Sequence, residues 1–395
     1  MRRIGIICMV CVTGCVKPYN PHLNNPPTGY LVVEGNINTG AGPSTVILSR
    51  SVALTDTATE VFEQGATVVL EGSDGTTYTS TPGASGTYVF GALPLDTTKA
   101  FRLDIHTADG TEYQSDYVNV VPNPPIDSIS FVPKGTDGYY VNVNTHNPTD
   151  NTRYYQWSWS ETWEYNSAEF SALEFDPTQD TVVPRPSADQ IFTCWRGDSS
   201  TSILIYTSTK LAHDVVSQFP VTFIPEGDQR LSVEYSINLH QYALTADCYN
   251  YLLLMQSNTE SLGSIFDPLP SNLKGNIHCV SDPSQTVVGF VNVSSEQTLR
   301  VFENRPSYWP YVYTCPLGDT FVPTAPKWLY TWYFTGIAPN PYPIGIMSPP
   351  MGLYVPTEQS SSSPGWMANL IGCVDCRQQG GTTLAGFRTR QDRCK

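Results

Sequence analysis

The chain is predicted to be mainly β, folded as two antiparallel β-sandwiches with one helical insertion and a C-terminal segment pinned by disulfides. Three observations predict this. Short runs of β-branched and aromatic residues recur along most of the chain, each closed by Gly, Pro, Asn or Ser. Residues 154–166 alternate strictly: Tyr155, Trp157, Trp159, Glu161, Trp163 and Tyr165 share one face, and mainly Gln, Ser, Thr, Glu and Asn the other. Asp74-Gly75, Asp109-Gly110 and Asp137-Gly138 fall between such runs, and Asp-Gly tolerates the positive φ of tight hairpin turns.

In order, runs at 30–34, 44–49, 66–71, 76–81 and 101–106, with a return through Tyr113, predict a first β-sandwich over residues 28–122. Its size suits an immunoglobulin-like unit. The stretch 66–93, centred on Gly83-Ala84-Ser85-Gly86-Thr87-Tyr88, resembles the transthyretin-like or carboxypeptidase-regulatory class. Val121-Pro122-Asn123-Pro124-Pro125 marks the boundary, since proline fixes φ and disfavours helix before it. A second, immunoglobulin/fibronectin-like sandwich is expected over 126–303, with strands at 126–132, 139–144, 154–166, 202–208, 231–239, 287–293 and 299–302. Within it, alternation stops at 245–255, where Ala, Leu and Met favour a helix. Residues 304–395 form an aromatic, Pro-rich and Cys-rich segment expected to wrap over the second sandwich.

Only 14 % of the 395 residues are charged, against the roughly 25 % usual for soluble domains, so the surface is solvated mostly by Ser, Thr, Asn, Gln and Gly. Acidic residues outnumber basic ones 36 to 21. That balance argues against nucleic acid as a partner, which needs clustered Lys and Arg. The 32 prolines and 29 glycines exclude a long-helix protein.

Residues 1–14 open with Arg2 and Arg3, continue as a short apolar core, and end Val12-Thr13-Gly14 before Cys15. This resembles the lipobox of bacterial lipoprotein signal peptides. The resemblance implies a diacylglycerol on Cys15, cleavage before it, and acylation (a palmitate-type chain) of the freed amino group. Several acyl chains hold a protein on a membrane where one holds only marginally. Polar, Pro-rich residues 15–27 then read as a tether.

Seven cysteines remain downstream: Cys194, Cys248, Cys279, Cys315, Cys373, Cys376 and Cys394. An envelope compartment permits disulfides, and all seven are candidates, with at least one left over. Cys373-Val374-Asp375-Cys376 has the spacing of a redox motif or half a zinc site. No second pair completes a metal site and no βαβ pattern surrounds it, so no metal and no cofactor are expected.

Candidates for chemistry are few. Asp104 and His106 share a strand face with Asp109 close behind, which reads as an outward polar face. No nucleophile elbow and no phosphate-cradling Gly-rich loop occurs. The chain is therefore read as non-enzymatic, with no catalytic residues assigned. Trp157, Trp159 and Trp163 either fill the core or form a stacking platform for sugars, and their size favours the core. Trp309, Trp328 and Trp332, interleaved with proline, are candidates for an exposed ligand or partner surface for a glycan or peptide. Asp56-Thr57-Ala58 resembles the acceptor pattern of Bacteroidota periplasmic O-glycosylation, which makes Thr57 a candidate.

The order of features resembles an uncharacterised Bacteroidota outer-membrane lipoprotein family, domain of unknown function 4249. The matching stretches are the lipobox through Cys15, Tyr30-Leu31-Val32-Val33-Glu34-Gly35, Cys248-Tyr249-Asn250-Tyr251, Phe266-Asp267-Pro268-Leu269-Pro270 before Gly275-Asn276-Ile277, and Cys373-Val374-Asp375-Cys376-Arg377 with Gly380-Gly381. The resemblance singles out Gly275, Asn276, Asp375, Arg377, Gly380 and Gly381. It implies a lipid-anchored protein facing the periplasm or the cell surface, partnering a TonB-dependent receptor in nutrient uptake or receptor assembly. An envelope glycan hydrolase and a structural or adhesive surface lipoprotein are the alternatives.

Overall fold

Two sheets of short antiparallel strands enclose the first core. The computed structural model describes residues 29–52, 61–260, 274–311, 313, 315, 320–324, 332–335 and 354–383. One sheet runs in the order Val288–Gly289, Leu31–Asn38, Ser44–Arg50, Thr87–Phe90, Thr81–Pro82. The facing sheet runs Ile277–Cys279, Glu112–Ser115, Ala100–His106, Thr67–Gly72, Thr77–Thr79. Alternation supplies the core: Val68 and Leu70, and Phe101, Leu103 and Ile105, turn inward with Leu31, Leu48, Tyr88 and Phe90.

The second sandwich packs Ile126–Pro133, Gly138–Asn147 and Asp214–Pro225 against a sheet ordered Thr193–Ser199, Tyr154–Asn166, Glu234–Ala243, Gln297–Asn304. Tyr154–Asn166 is the strand the sequence predicts, residue for residue. Its odd positions enter the core: Tyr155 and Trp157 stack on each other and Phe219 stacks on Trp157.

One expected assignment is corrected. Residues 277–294, placed by sequence in the second sandwich, belong to the first. Val288–Gly289 and Asn292–Ser294 run parallel beside Leu31–Asn38, and Ile277–Cys279 pairs with Glu112–Ser115. Ile277, Cys279, Val287, Val291 and Val293 complete the first core. The returning segment also covers an edge that Leu31–Asn38 would otherwise expose. Local alternation reports a strand, but not which distant sheet receives it.

The helix spans Ala246–Glu260, five residues beyond the expected end, and buries Cys248, Tyr251 and Leu252. Among the described residues, no helix is long and apolar enough to cross a membrane. Beyond Arg305, Trp309 joins the second core, and Thr320–Pro323, Gly365–Leu370 and Tyr354–Gln359 form a small sheet with its own apolar cluster.

Candidate functional site

The sandwiches are joined by continuous chain and by buried amides. Residues 292–304 run without a break from Asn292–Ser294, on the first sandwich, into Gln297–Asn304, on the second. Gln241, wholly buried, donates from Nε2 to Asn123 Oδ1 (3.1 Å) and Pro124 O (2.8 Å), while its Oε1 accepts the Trp157 indole N–H (2.9 Å). Asn123 Nδ2 donates to Gln241 O (2.7 Å) and Ser295 O (2.6 Å). Asn292 Nδ2 bridges Asn36 Oδ1 and Ala243 O, both at 2.9 Å. These paired amide groups favour one relative placement, because sliding would break the bonds of Gln241, Asn123 and Asn292.

Beside these bonds lies a cavity of about 340 Å³. The strand Leu31–Asn38 forms one wall, the helix face of Cys248, Tyr251, Leu252 and Met255 a second, and Phe290 with Gly289 a third. Gln156 and Tyr242 of the second sandwich close it. Burial alone pushes the Cys248 thiol up to about 12, so it lines the cavity as a neutral S–H. This apolar space with few polar groups, shared by both sandwiches, is the candidate site.

The aromatic row is core. Trp157 and Trp163 are buried and Trp159 half-buried, and their indole N–H groups donate to Gln241 Oε1, Gln229 Oε1 (3.2 Å) and Val221 O (3.1 Å). Glu161 in the same register is buried: Tyr235 O–H donates to Oε2 (2.5 Å), and Arg230 lies 3.4 Å from Oε1. Desolvation outweighs both partners and raises its pKa.

Trp309 and Trp332 are not an exposed recognition surface. They are 3 % and 4 % exposed, and the Trp309 indole donates to Asp228 O (2.9 Å). Trp309 is part of the second core, and Trp332 stands in a helical stretch at 332–335. Trp328, like Cys15, Thr57 and Cys394, lies outside the described residues.

Four of the disulfide candidates pair, as Cys194–Cys376 and Cys315–Cys373. Cys248 and Cys279 are corrected to free, buried thiols. They sit in different apolar clusters, Cys279 in the first core and Cys248 under the helix, so neither meets a second sulfur. The C-x-x-C motif holds two elements at once, its cysteines bonding different partners. Asp375, buried, accepts the Arg377 backbone N–H (3.0 Å) and grips its guanidinium (Nη2–Oδ2 2.6 Å).

Gly380 adopts φ +86°, closing the short helical turn. Gly381 passes so near the second core that a Cβ there would meet Tyr165 Oη at 2.2 Å. A Cβ on Gly275 would lie 1.6 Å from the carbonyl oxygen of Gly289. Asn276 exchanges two bonds with the Val291 backbone (2.8 and 3.0 Å). Gly275, Asn276 and Gly381 thus make close contacts between distant segments, while Asp375, Arg377 and Gly380 shape one local turn.

Two titratable clusters lie elsewhere. Asp104, His106 and Glu112 place ligand atoms within 4.8 Å of one another, but Asp104 bonds His106 (3.0 Å) and Gln114 bridges Asp104 and Glu112 (both 3.1 Å), a cross-strand polar ladder. Asp109 turns away to Thr107 and Thr111. His240 Nδ1 meets Glu296 Oε1 at 2.5 Å, and Asn238 Nδ2 lies 2.9 Å from Nε2, so both ring nitrogens are engaged.

Sequence reading missed the joint residues. Gln241 carried a signal: it continues the buried register Tyr235, Ile237, Leu239, where an apolar residue is expected. Asn36 and Asn292 carried none.

No curated protein matches this chain. Among solved structures it is similar to a two-domain fibronectin type III segment of chicken tenascin, at 10 % identity and a TM-score of 0.16, covering 55 % of this chain and 91 % of that one. A family model described as a domain of unknown function (DUF4249) matches residues 16–300, from ahead of the first sandwich into the last strand of the second. The chain belongs to the DUF4249 family.

Proposed function

We propose that this protein is a lipid-anchored outer-membrane binding protein that partners a TonB-dependent receptor in nutrient uptake or receptor assembly and catalyses no reaction itself. Cys15, behind a positively charged and apolar leader, would carry the lipid and residues 15–27 the tether. The observation that carries the binding role is the joint: two sandwiches fixed by buried amides around one mainly apolar cavity. A body of this kind holds a partner in a set orientation with little ordering cost on binding. The outer membrane as address follows from the lipobox-like leader, and the receptor as partner from the resemblance drawn in the sequence.

The test is recovery of the Cys15-anchored protein from native membranes under mild detergent. Stoichiometric co-recovery of a TonB-dependent barrel supports the proposal, and clean absence of one overturns it. Turnover of an envelope glycan, abolished by a single Asp or Glu substitution, would establish the hydrolase instead.

A further inference from the structure

The outer face of the first sandwich brings together an imidazole and two carboxylates. Asp104 and His106 sit two apart on Ala100–His106, on the face opposite Leu103 and Ile105, which enter the core. A tight turn, in which Thr111 N–H donates to Asp109 Oδ1 at 3.0 Å, sets Glu112 directly opposite His106 and Gln114 directly opposite Asp104. The ligand atoms of Asp104, His106 and Glu112 thereby come within 4.8 Å of one another. Gln114 Nε2 donates to one oxygen of each carboxylate, Asp104 Oδ1 and Glu112 Oε1, both at 3.1 Å. The amide is held in that orientation because its own Oε1 accepts Arg102 Nη1 at 3.0 Å. The other oxygen of Asp104 turns to His106 Nε2, also at 3.0 Å. Metal-binding carboxylates are oriented in this way, by hydrogen bonds to the oxygen that does not ligate. Asp104 and Glu112 are also like charges on neighbouring strands, which is destabilising. Arg102, further along the same face, is committed to Glu71 (Nη2–Oε2 2.8 Å).

We propose that Asp104, His106 and Glu112 bind a divalent cation of the zinc class through one imidazole nitrogen and two carboxylate oxygens. Donors around a tetrahedral zinc ion stand about 3.4 Å apart, at bond lengths of about 2.0–2.2 Å. Side-chain rotation closes the difference: the His106 side chain is 48 % exposed and Glu112 half-buried, while Asp104, 8 % exposed, is the fixed point. The metal takes the Nε2 lone pair, and the ring proton stays on Nδ1. Three protein donors leave a fourth position facing solvent, for water or one donor of a partner. The imidazole selects zinc-class ions, and two carboxylates fall short of the roughly six to eight oxygens that Ca²⁺ takes. Because both strands belong to one hairpin, the ion also clasps its end. The inference does not depend on the lipid anchor or on which receptor the protein serves.

The test uses the full chain carrying Cys15→Ser, which leaves every described residue unchanged, stripped with a chelator and titrated calorimetrically with Zn²⁺. A saturable step is expected that His106→Ala and Glu112→Gln each abolish. Gln114→Ala, which removes the orienting amide, should weaken it by roughly 10- to 100-fold. His146→Ala, which removes an exposed imidazole paired with Asp127 on the second sandwich, should leave it unchanged. Zn²⁺ should raise the urea midpoint of the wild type and not that of His106→Ala, which separates lost binding from lost folding. Absence of the step, its survival in both His106→Ala and Glu112→Gln, its loss in His146→Ala, or a wild-type midpoint that ignores Zn²⁺ overturns the site. Indifference to Gln114→Ala overturns its positioning role, and displacement of Zn²⁺ by equimolar Ca²⁺ overturns the class of ion.

Discussion

Replacing Gln241 by leucine tests whether buried amides fix the two sandwiches together. The substitution conserves volume, so it opens little cavity. It strands the Trp157 indole N–H, Asn123 Oδ1 and Pro124 O, all bonded to the Gln241 side chain between 2.8 and 3.1 Å. At about 1–3 kcal/mol for each buried group left unpaired, the loss is at least roughly 3 kcal/mol. That is a large fraction of the roughly 5–15 kcal/mol that a domain possesses. Urea unfolding followed by tryptophan fluorescence reads it, since Trp157 sits at the joint. The wild type should unfold in one transition, because residues 292–304 belong to both sandwiches. Gln241→Leu should lower the midpoint and separate the transition into two. Asn123→Ala, which shares the same bonds, should be non-additive with it by at least about 0.5 kcal/mol. A Gln241→Leu protein within about 0.5 kcal/mol of wild type, unfolding in a single step, would show that the amides do not hold the sandwiches together.

Further outcomes follow from the same structure. Peptide mapping without reductant should recover the 194–376 and 315–373 links, with Cys248 and Cys279 alkylated only after unfolding. Removing the first link by Cys194→Ala with Cys376→Ala should cost up to roughly 5 kcal/mol from loop closure across a separation of 182 residues, and increase amide exchange over residues 371–383. Gly381→Ala forces a methyl group against Tyr165 Oη and the Cys194 side chain, so it should destabilise by about 1–3 kcal/mol in urea; an unchanged midpoint would show that the turn yields freely. The Glu296 carboxylate is held below its ordinary range chiefly by the His240 hydrogen bond, with Tyr242 adding to it and burial opposing. Its stabilisation is present above the unfolded value and lost as pH falls through the lower folded one. The midpoint difference between wild type and Glu296→Gln should therefore shrink on acidification; a difference constant with pH contradicts this.

How much the sequence revealed depended on the range of the interaction. Tyr154–Asn166 was legible to the residue because its alternation is uninterrupted and its bounds carry polar residues. The helix was legible in position but ran five residues further, since Gln256 to Glu260 is polar without a stop signal. The parallel pairing of Asn36 with Asn292 was not legible, because it joins residues 256 positions apart and nothing local encodes the partner. The cavity inherits that blindness, being walled by segments near 34, 156, 250 and 290. Trp309 and Trp332 failed differently. A bulky ring beside proline has the same composition whether it is buried or faces water, and only the tertiary structure decides: Trp309 enters the second core, and Trp332 is buried as well.

The cavity is carried by one rigid body rather than by two loosely tethered domains. Spin labels at exposed Thr79 on the first sandwich and Ser217 on the second, with Cys248 and Cys279 replaced, measure it most directly by pulsed dipolar spectroscopy. A single narrow distance distribution is expected in wild type, and it should broaden in Gln241→Leu. A broad or two-peaked wild-type distribution would contradict it.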